Sequence, residues 1–392
     1  MEKQVVEKMF SLVNSVVFNE QLEQTSECFF EGEQLNKVYN LAKKHDISHI
    51  VSHAILQNNL IDANEKVKFS LTKEKLVALF RSENTDYLID LVTKKLEEAG
   101  IDFILLKGAF IRNLYPERWL RTNCDIDVLV KKECVDKAIA VLCEDNTFTR
   151  GNDSTTHDCL LIAQSGMHLE LHYTLEEEEA LPKTTELLNK AWDNAVLEQG
   201  YKHKYNFNNE FFIFYHIAHM AKHFIHGGCG IRPFIDLKFL LENLSFDKEK
   251  LTKMLAEAQI YDFYNAVCDL AKMWLSNGER TPFLVDLEQF VLSGGVYGTH
   301  ENNAKVSASK GKSKISTFIS IVFLPKKRLE VIYPNLKKHP ILFPFYQVKR
   351  WFRVFYRKKV KKVKRAIDAR ASVTNEQIDQ TTQLLQQLGL SE

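Results

Sequence analysis

Apolar positions recur at helical spacing over residues 72–99, where Leu76, Phe80, Tyr87, Leu91 and Leu96 step along the chain and Gly100 follows as a stop. The pattern predicts a long helix, and the residues before it read mainly as further helices. The period then changes. Residues 101–106 form a short β-rich run bounded by Gly100 and Gly108, which predicts a buried strand, then a turn and a short helix through Ile111 and Leu114. Residues 124–130 alternate acidic and apolar side chains, the period of a strand with one wet and one dry face. Ile126 and Val128 then point to the core, and Asp125 and Asp127 point away.

A helix over 133–143 is predicted next. Two strand-like runs follow, 159–163 and 167–173, joined by Gln164-Ser165-Gly166 as a hairpin. Residues 210–244 read as helical with an interruption at Gly227-Gly228-Cys229-Gly230, and further helices are predicted over 248–276 and 284–292. Residues 294–314, rich in Gly, Ser, Asn and Lys, show no hydrophobic period and predict an exposed, flexible loop. The resulting class is α+β, with an N-terminal helical region (1–99), a small mixed-sheet core (100–200), a helical domain (201–293), the loop (294–314) and a C-terminal helical region (315–392).

Composition changes this picture little. With 392 residues, 45% hydrophobic and 26% charged, the chain can bury a real core and is not disordered throughout. Seven scattered cysteines without a C-x-x-C pair argue against a disulfide framework or zinc knuckle and favour a reducing, cytoplasmic setting. Residues 1–10 mix acids and bases without an apolar stretch of signal-peptide length. The best apolar run, 315–324, ends at Pro325, short of the roughly 20 residues that span a bilayer.

Candidate chemistry centres on the acids. Asp125 and Asp127, two apart on one strand, project side by side, as hard cations bridging triphosphate oxygens require. Glu170 joins the same face if its strand pairs beside theirs, as ligand or proton acceptor. Lys107-Gly108 lies where a strand turns into a helix, so backbone N–H groups, the positive helix end and the Lys107 ammonium can meet phosphate while Gly108 lets a ligand come close. Arg112, Arg118 and Arg121 follow. A guanidinium can grip phosphate through two hydrogen bonds, and Arg121, four residues before Asp125, is the favoured one.

The runs L-L-K-G-A (105–109), L-Y-P-E-R, R-T-N-C-D-I-D-V-L-V and L-E-L-H-Y (169–173) together resemble the uncharacterised nucleotidyltransferases. The likeness is close over 101–173 and looser over H-I-A-H-M-A-K-H and G-I-R-P-F-I-D-L. It implies a polymerase-β-like nucleotidyltransferase core, a small mixed sheet with helices behind it, with Asp125, Asp127 and Glu170 in the metal-binding places for Mg²⁺ or Mn²⁺. The expected activity is transfer of a nucleoside monophosphate from a nucleoside triphosphate to a hydroxyl-bearing acceptor. One departure bears on this: the wider superfamily places Gly-Ser in the turn that is Lys107-Gly108-Ala109 here. That change favours the alternative, a degenerate fold that binds nucleotide and regulates or scaffolds a partner.

His216, His219, His223 and His226 follow at spacings of three, four and three, with Lys222 alongside. Lys222, His223, Arg232 and Asp236 are candidate binding groups on the nucleotide or acceptor side of a cleft; the other readings are helix-packing histidines and a zinc site, which no H-E-x-x-H supports. His172 shares the face of Glu170 and either meets the acceptor or hydrogen-bonds a carboxylate.

Residues 349–365 hold ten Lys or Arg and no acid in a chain of net charge +1, leaving about −9 elsewhere. Phe352, Tyr356, Val360, Val363 and Ile367 make this a basic amphipathic helix. It suits packing on the acidic remainder of the chain, an anionic membrane surface or a nucleic acid backbone; of the outside partners the membrane is favoured, which would place the protein peripherally on the inner face.

Overall fold

A computed structural model describes residues 2–391 apart from 23–28, 31–32, 62–64, 152–157, 176–180, 297, 312–318, 320–322, 325, 334 and 357–359. It is α+β, with helices around a mixed sheet of seven strands. The N-terminal helices α1 (Lys3–Val17), α2 (Gln34–Lys44) and α3 (Ser48–Gln57) lead into α4 (Glu65–Glu98), 34 residues long. Gly100, at φ +64°, ends that helix. The apolar period noted above is real, but Leu76, Phe80 and Tyr87 lie on its outward side. Leu71 and Ala78 bury against the helical body instead, and Leu88, Val92 and Leu96 bury against the sheet.

The sheet runs β3-β4-β5-β2-β1-β7-β6, with β1 (Phe103–Leu105), β2 (Asp125–Val130), β3 (Phe148–Arg150), β4 (Asp158–Ala163), β5 (His168–His172), β6 (Ala195–Leu197) and β7 (Lys204–Phe207). The predicted hairpin is β4–β5, antiparallel. β5 lies parallel to β2, with Asp127 opposite Glu170 and Leu129 opposite His172. β1 is antiparallel to β2 and parallel to β7. The short strands β3, β6 and β7 went unpredicted because three or four residues carry too little alternation to register.

Strand alternation gives the sheet two different faces. Phe103, Leu105, Ile126, Val128, Val130, Leu169 and Leu171 pack with α4 and α6 (Val135–Cys143). Ile104 and Leu129 face the larger core, built from the N-terminal helices together with α8 (Asn209–Ile225), α9 (Arg232–Asn243), α11 (Tyr261–Leu275) and α12 (Pro282–Gly294). The Asn208 side chain caps α8 by accepting from the Phe211 N–H at 2.9 Å. Two short helices, α5 (Gly108–Ile111) and α7 (Pro182–Leu188), and α10 (Lys248–Glu257) complete this part.

One expectation fails. Within the predicted flexible loop 294–314, residues His300–Ser309 form a helix, α13. Thr299 caps it by accepting from the Asn302 N–H, and Ala304, Val306 and Ala308 are buried. Small residues and a cap gave too weak a hydrophobic period to be read as a helix. Residues 297 and 312–314 of that loop lie outside the described ones. Beyond it come α14 (Lys326–Ile332), α15 (Asn335–Lys338), α16 (Phe343–Tyr356), α17 (Val360–Ser372) and α18 (Asn375–Gln387). Among the described residues no helix is long and apolar enough to cross a membrane.

Candidate active site

Because β2 and β5 are parallel and in register, every second residue of each lands on the face turned toward the helical body. On β2 these are Asp125 and Asp127, on β5 Glu170 and His172. That face is not wet, as the alternation suggested: Asp127 is only 6% exposed. A cleft there is lined by Lys107, Gly108, Arg121, Asn123, Cys124, Asp125 and Asp127 on one side, and by His216, His219, Met220, His223, Arg232 and Asp236 on the other.

Ligand atoms of Asp127, Glu170 and His172 all lie within 4.8 Å of one another. His172 Nε2 donates to Asp127 Oδ1 at 2.8 Å and lies 3.6 Å from Glu170 Oε2. Lys107 Nζ stands 3.5 Å from the same Asp127 oxygen. Burial opposes charge on Asp127, yet Lys107 and the His172 hydrogen bond hold it well below the usual carboxylate range. Burial likewise opposes the His172 imidazolium, but the bonds to Asp127 and Glu170 outweigh it and push its pKa up to about 9. Asp125 is the strained member. Burial, then the charge of Asp127, with Lys107 opposing and Glu170 adding, pushes it up to about 6.

The turn before α5 holds the cationic side of the site. The Leu106 N–H donates to the Asp127 carbonyl at 2.9 Å, so the turn starts beside the acids. Lys107 sits at φ +42°, ψ −114°, a costly backbone state for a residue with a Cβ. A Cβ on Gly108 would meet the Asn123 side chain at 2.7 Å. Gly108 therefore lets the turn pack closely against the loop that carries the aspartates, and a larger residue would have to displace the Asn123 side chain.

Arg121 has a partner other than the phosphate expected for it. Its Nε and Nη2 grip Asp236 on α9 at 2.9 Å, and Nη1 donates to the Thr122 carbonyl and Asn123 Oδ1. Tyr115 donates its hydroxyl to Asp236 Oδ1 at 2.7 Å. Arg232 pairs with Asp46 at 2.8 Å and donates to the Thr122 carbonyl. Both arginines thus fasten the pre-β2 loop to the helical body. Arg112 and Arg118 pair with Asp86 of α4. Reading the sequence missed Asn123 and Tyr115, whose roles exist only through tertiary contacts; the one available signal was their place, Tyr115 between Arg112 and Arg118 and Asn123 between Arg121 and Asp125.

Of the histidine series, His216 donates to the Pro233 carbonyl at 2.9 Å, while the Nε2 atoms of His219 and His223 share a proton contact at 3.0 Å. Burial, with Lys107 and His223 next, keeps His219 neutral. Lys222 and the exposed His226 do not line the cleft.

The model of the family described as uncharacterised nucleotidyltransferase matches residues 31–276, well over half of the chain. The chain belongs to that family. The matched span runs from α2 to the end of α11 and so contains the sheet, the acid cluster and the cleft's helical wall in this nucleotidyltransferase-family chain. No curated protein and no solved structure matches it.

Proposed function

We propose that the chain is a divalent-metal-dependent nucleotidyltransferase that moves a nucleoside monophosphate from a nucleoside triphosphate to a hydroxyl acceptor. The observation that carries this reading is the clustering of Asp127, Glu170 and His172 within 4.8 Å, with Asp125 on the same face. The crowded carboxylates fit a hard cation, because a cation offsets both the burial and the Asp127 charge that raise Asp125. Oxygen donors from Asp125, Asp127 and Glu170 suit Mg²⁺ or Mn²⁺. Such a cation, when bound, neutralises phosphate charge and favours ionisation of the acceptor hydroxyl.

The chain's own groups supply the rest. His172 orients Asp127 and Glu170 as a positioning residue. Lys107 adds a point charge for phosphate next to Gly108, while Arg121, through Asp236 and Asn123, places the loop that delivers Asp125. Neutral His219, together with His223 and Arg232, forms the wall against which a base or acceptor can lie; Lys222 does not line it.

Calorimetry of each nucleoside triphosphate with Mg²⁺ against the wild type and Asp125→Asn tests the reading. Metal-dependent binding that is lost in the variant is expected, followed by label transfer in an acceptor screen. Nucleotide binding without metal dependence or transfer would support the degenerate scaffold instead. Ala109, which offers no hydroxyl where the wider superfamily has serine, is the feature that favours this second reading.

For the C-terminal arm we propose contact with an anionic bilayer on the cytoplasmic side. Ile341, Phe345, Val348 and Phe352, at spacings of four, three and four, are all exposed on and just before α16. The side chains of 353–360, including Tyr356 and Val360, lie outside the described ones. Flotation with phosphatidylglycerol vesicles, reduced by Phe345→Asp and by high salt, is the expected result; equal recovery with neutral vesicles would overturn it.

A further inference from the structure

α4 carries a second seam that the active site does not use. Lys66, Phe69, Lys73, Leu76, Phe80, Glu83, Tyr87 and Asp90 follow at spacings of three, four, three, four, three, four and three. That is the alternation of core positions in a two-stranded coiled coil. Every one of these residues is exposed. The four apolar ones are 72% (Phe69), 58% (Leu76), 73% (Phe80) and 63% (Tyr87) exposed, a concentration that a lone helix face in water does not need.

The order of residues along the seam identifies its occupant. Its first half is basic and its second half acidic, and the series is symmetric about residue 78. Turned end over end, Lys66 meets Asp90, Phe69 meets Tyr87, Lys73 meets Glu83 and Leu76 meets Phe80. A two-fold axis repeats each pairing, giving eight layers in which every charge meets its opposite and every apolar residue an apolar one. A parallel pair in register would instead place lysine on lysine and glutamate on glutamate. We propose that the chain forms an antiparallel homodimer through α4, with a second copy of the same helix as the partner. The contact extends over about 36 Å of helix at the usual rise. The opposite side of α4 is held by the cores through Ala78, Leu88 and Val92, so the seam is presented on a fixed support.

Sedimentation velocity of the full chain at low micromolar concentration tests this. The wild type is expected to sediment as a dimer. Lys73→Glu and Glu83→Lys, each alone, place like charges in two layers and should weaken dimerisation by roughly 100-fold, giving monomers. Mixed one to one, the two variants restore both pairs and should sediment as a heterodimer. Recovery on mixing also shows that each variant is folded. In a one-to-one mixture, Phe69→Cys and Tyr87→Cys should cross-link to each other under mild oxidation and neither to itself, as the antiparallel register brings position 69 of one copy against 87 of the other. A monomeric wild type, a dimer indifferent to Lys73→Glu and Leu76→Asp, or variants that fail to recover on mixing would overturn the proposal.

Discussion

The two faces of the sheet come from the same strands and differ only in the parity of the residue. On β2 and β5 the even residues of one and the odd residues of the other, Ile126, Val128, Leu169 and Leu171, fill an apolar core with α4 and α6. The alternate residues, Asp125, Asp127, Glu170 and His172, crowd charge against the helical body. One face lowers the free energy of the fold; the other raises it locally by gathering charged groups out of water. Stability and chemistry are thus separable here at intervals of a single residue.

That separation is most sharply tested by a pair of substitutions. On the proposed reading, in which Asp125 is a metal-facing carboxylate, Asp125→Asn should lower nucleotidyl transfer by roughly 10³-fold or more. It should also stabilise the metal-free protein. The folded carboxyl titrates at about 6 against an ordinary value of 3.8, so its ionisation works against the fold above that range, and at pH 7.5 the amide recovers about 3 kcal/mol. Leu171→Ala should do the reverse, costing about 2–5 kcal/mol in urea unfolding while nucleotide affinity changes less than about twofold. If both variants lose stability and activity together, the two faces are not separable.

Cutting the clasp between the two sides of the cleft ranks next. Arg121→Ala leaves the buried Asp236 carboxylate without its cation, with only the Tyr115 hydroxyl donating to it, and should cost about 3–5 kcal/mol. Were Arg121 chiefly a phosphate ligand, nucleotide affinity would fall with the denaturation midpoint unchanged.

The charged face should also make stability depend on pH in a definite direction. His172 titrates at about 9 in the fold and near 6.5 without it, so its contribution is complete below pH 6.5 and is lost as pH rises through 9. The fall should be about 2–3 kcal/mol in metal-free protein, and His172→Gln should flatten it. Smallest is Gly108→Ala. The added methyl group meets an Asn123 side chain that Arg121 holds in place, at a cost of about 1 kcal/mol. Asn123→Ala in the same chain should restore it.

The acids and their strand were legible because a two-residue period survives even in short sequences, and the hairpin announced itself through Gln164-Ser165-Gly166. What escaped was pairing across distance. Asp236 was visible as a polar residue, but nothing near it in the chain names Arg121 and Tyr115 as its partners. The long helix shows the same limit from the other side. Periodicity located the stripe of Leu76, Phe80 and Tyr87, yet whether a stripe faces a core or solvent is decided by what the rest of the chain covers. In α13 the signal was weak for a chemical reason, since alanines and a threonine cap bury little apolar area.

The clasp of Arg121 on Asp236 has a consequence for how this architecture can be cut or recombined. The strands with the acids would look like a transplantable module, bounded by Gly100 and the end of β7. Excised there, the module would leave the Arg121 guanidinium without its carboxylate and expose Ile104, Leu106 and Leu129, which have no cover of their own. The sheet therefore cannot travel alone: shuffling this site into another scaffold would have to carry α4 for one face and the helical body, α9 included, for the other.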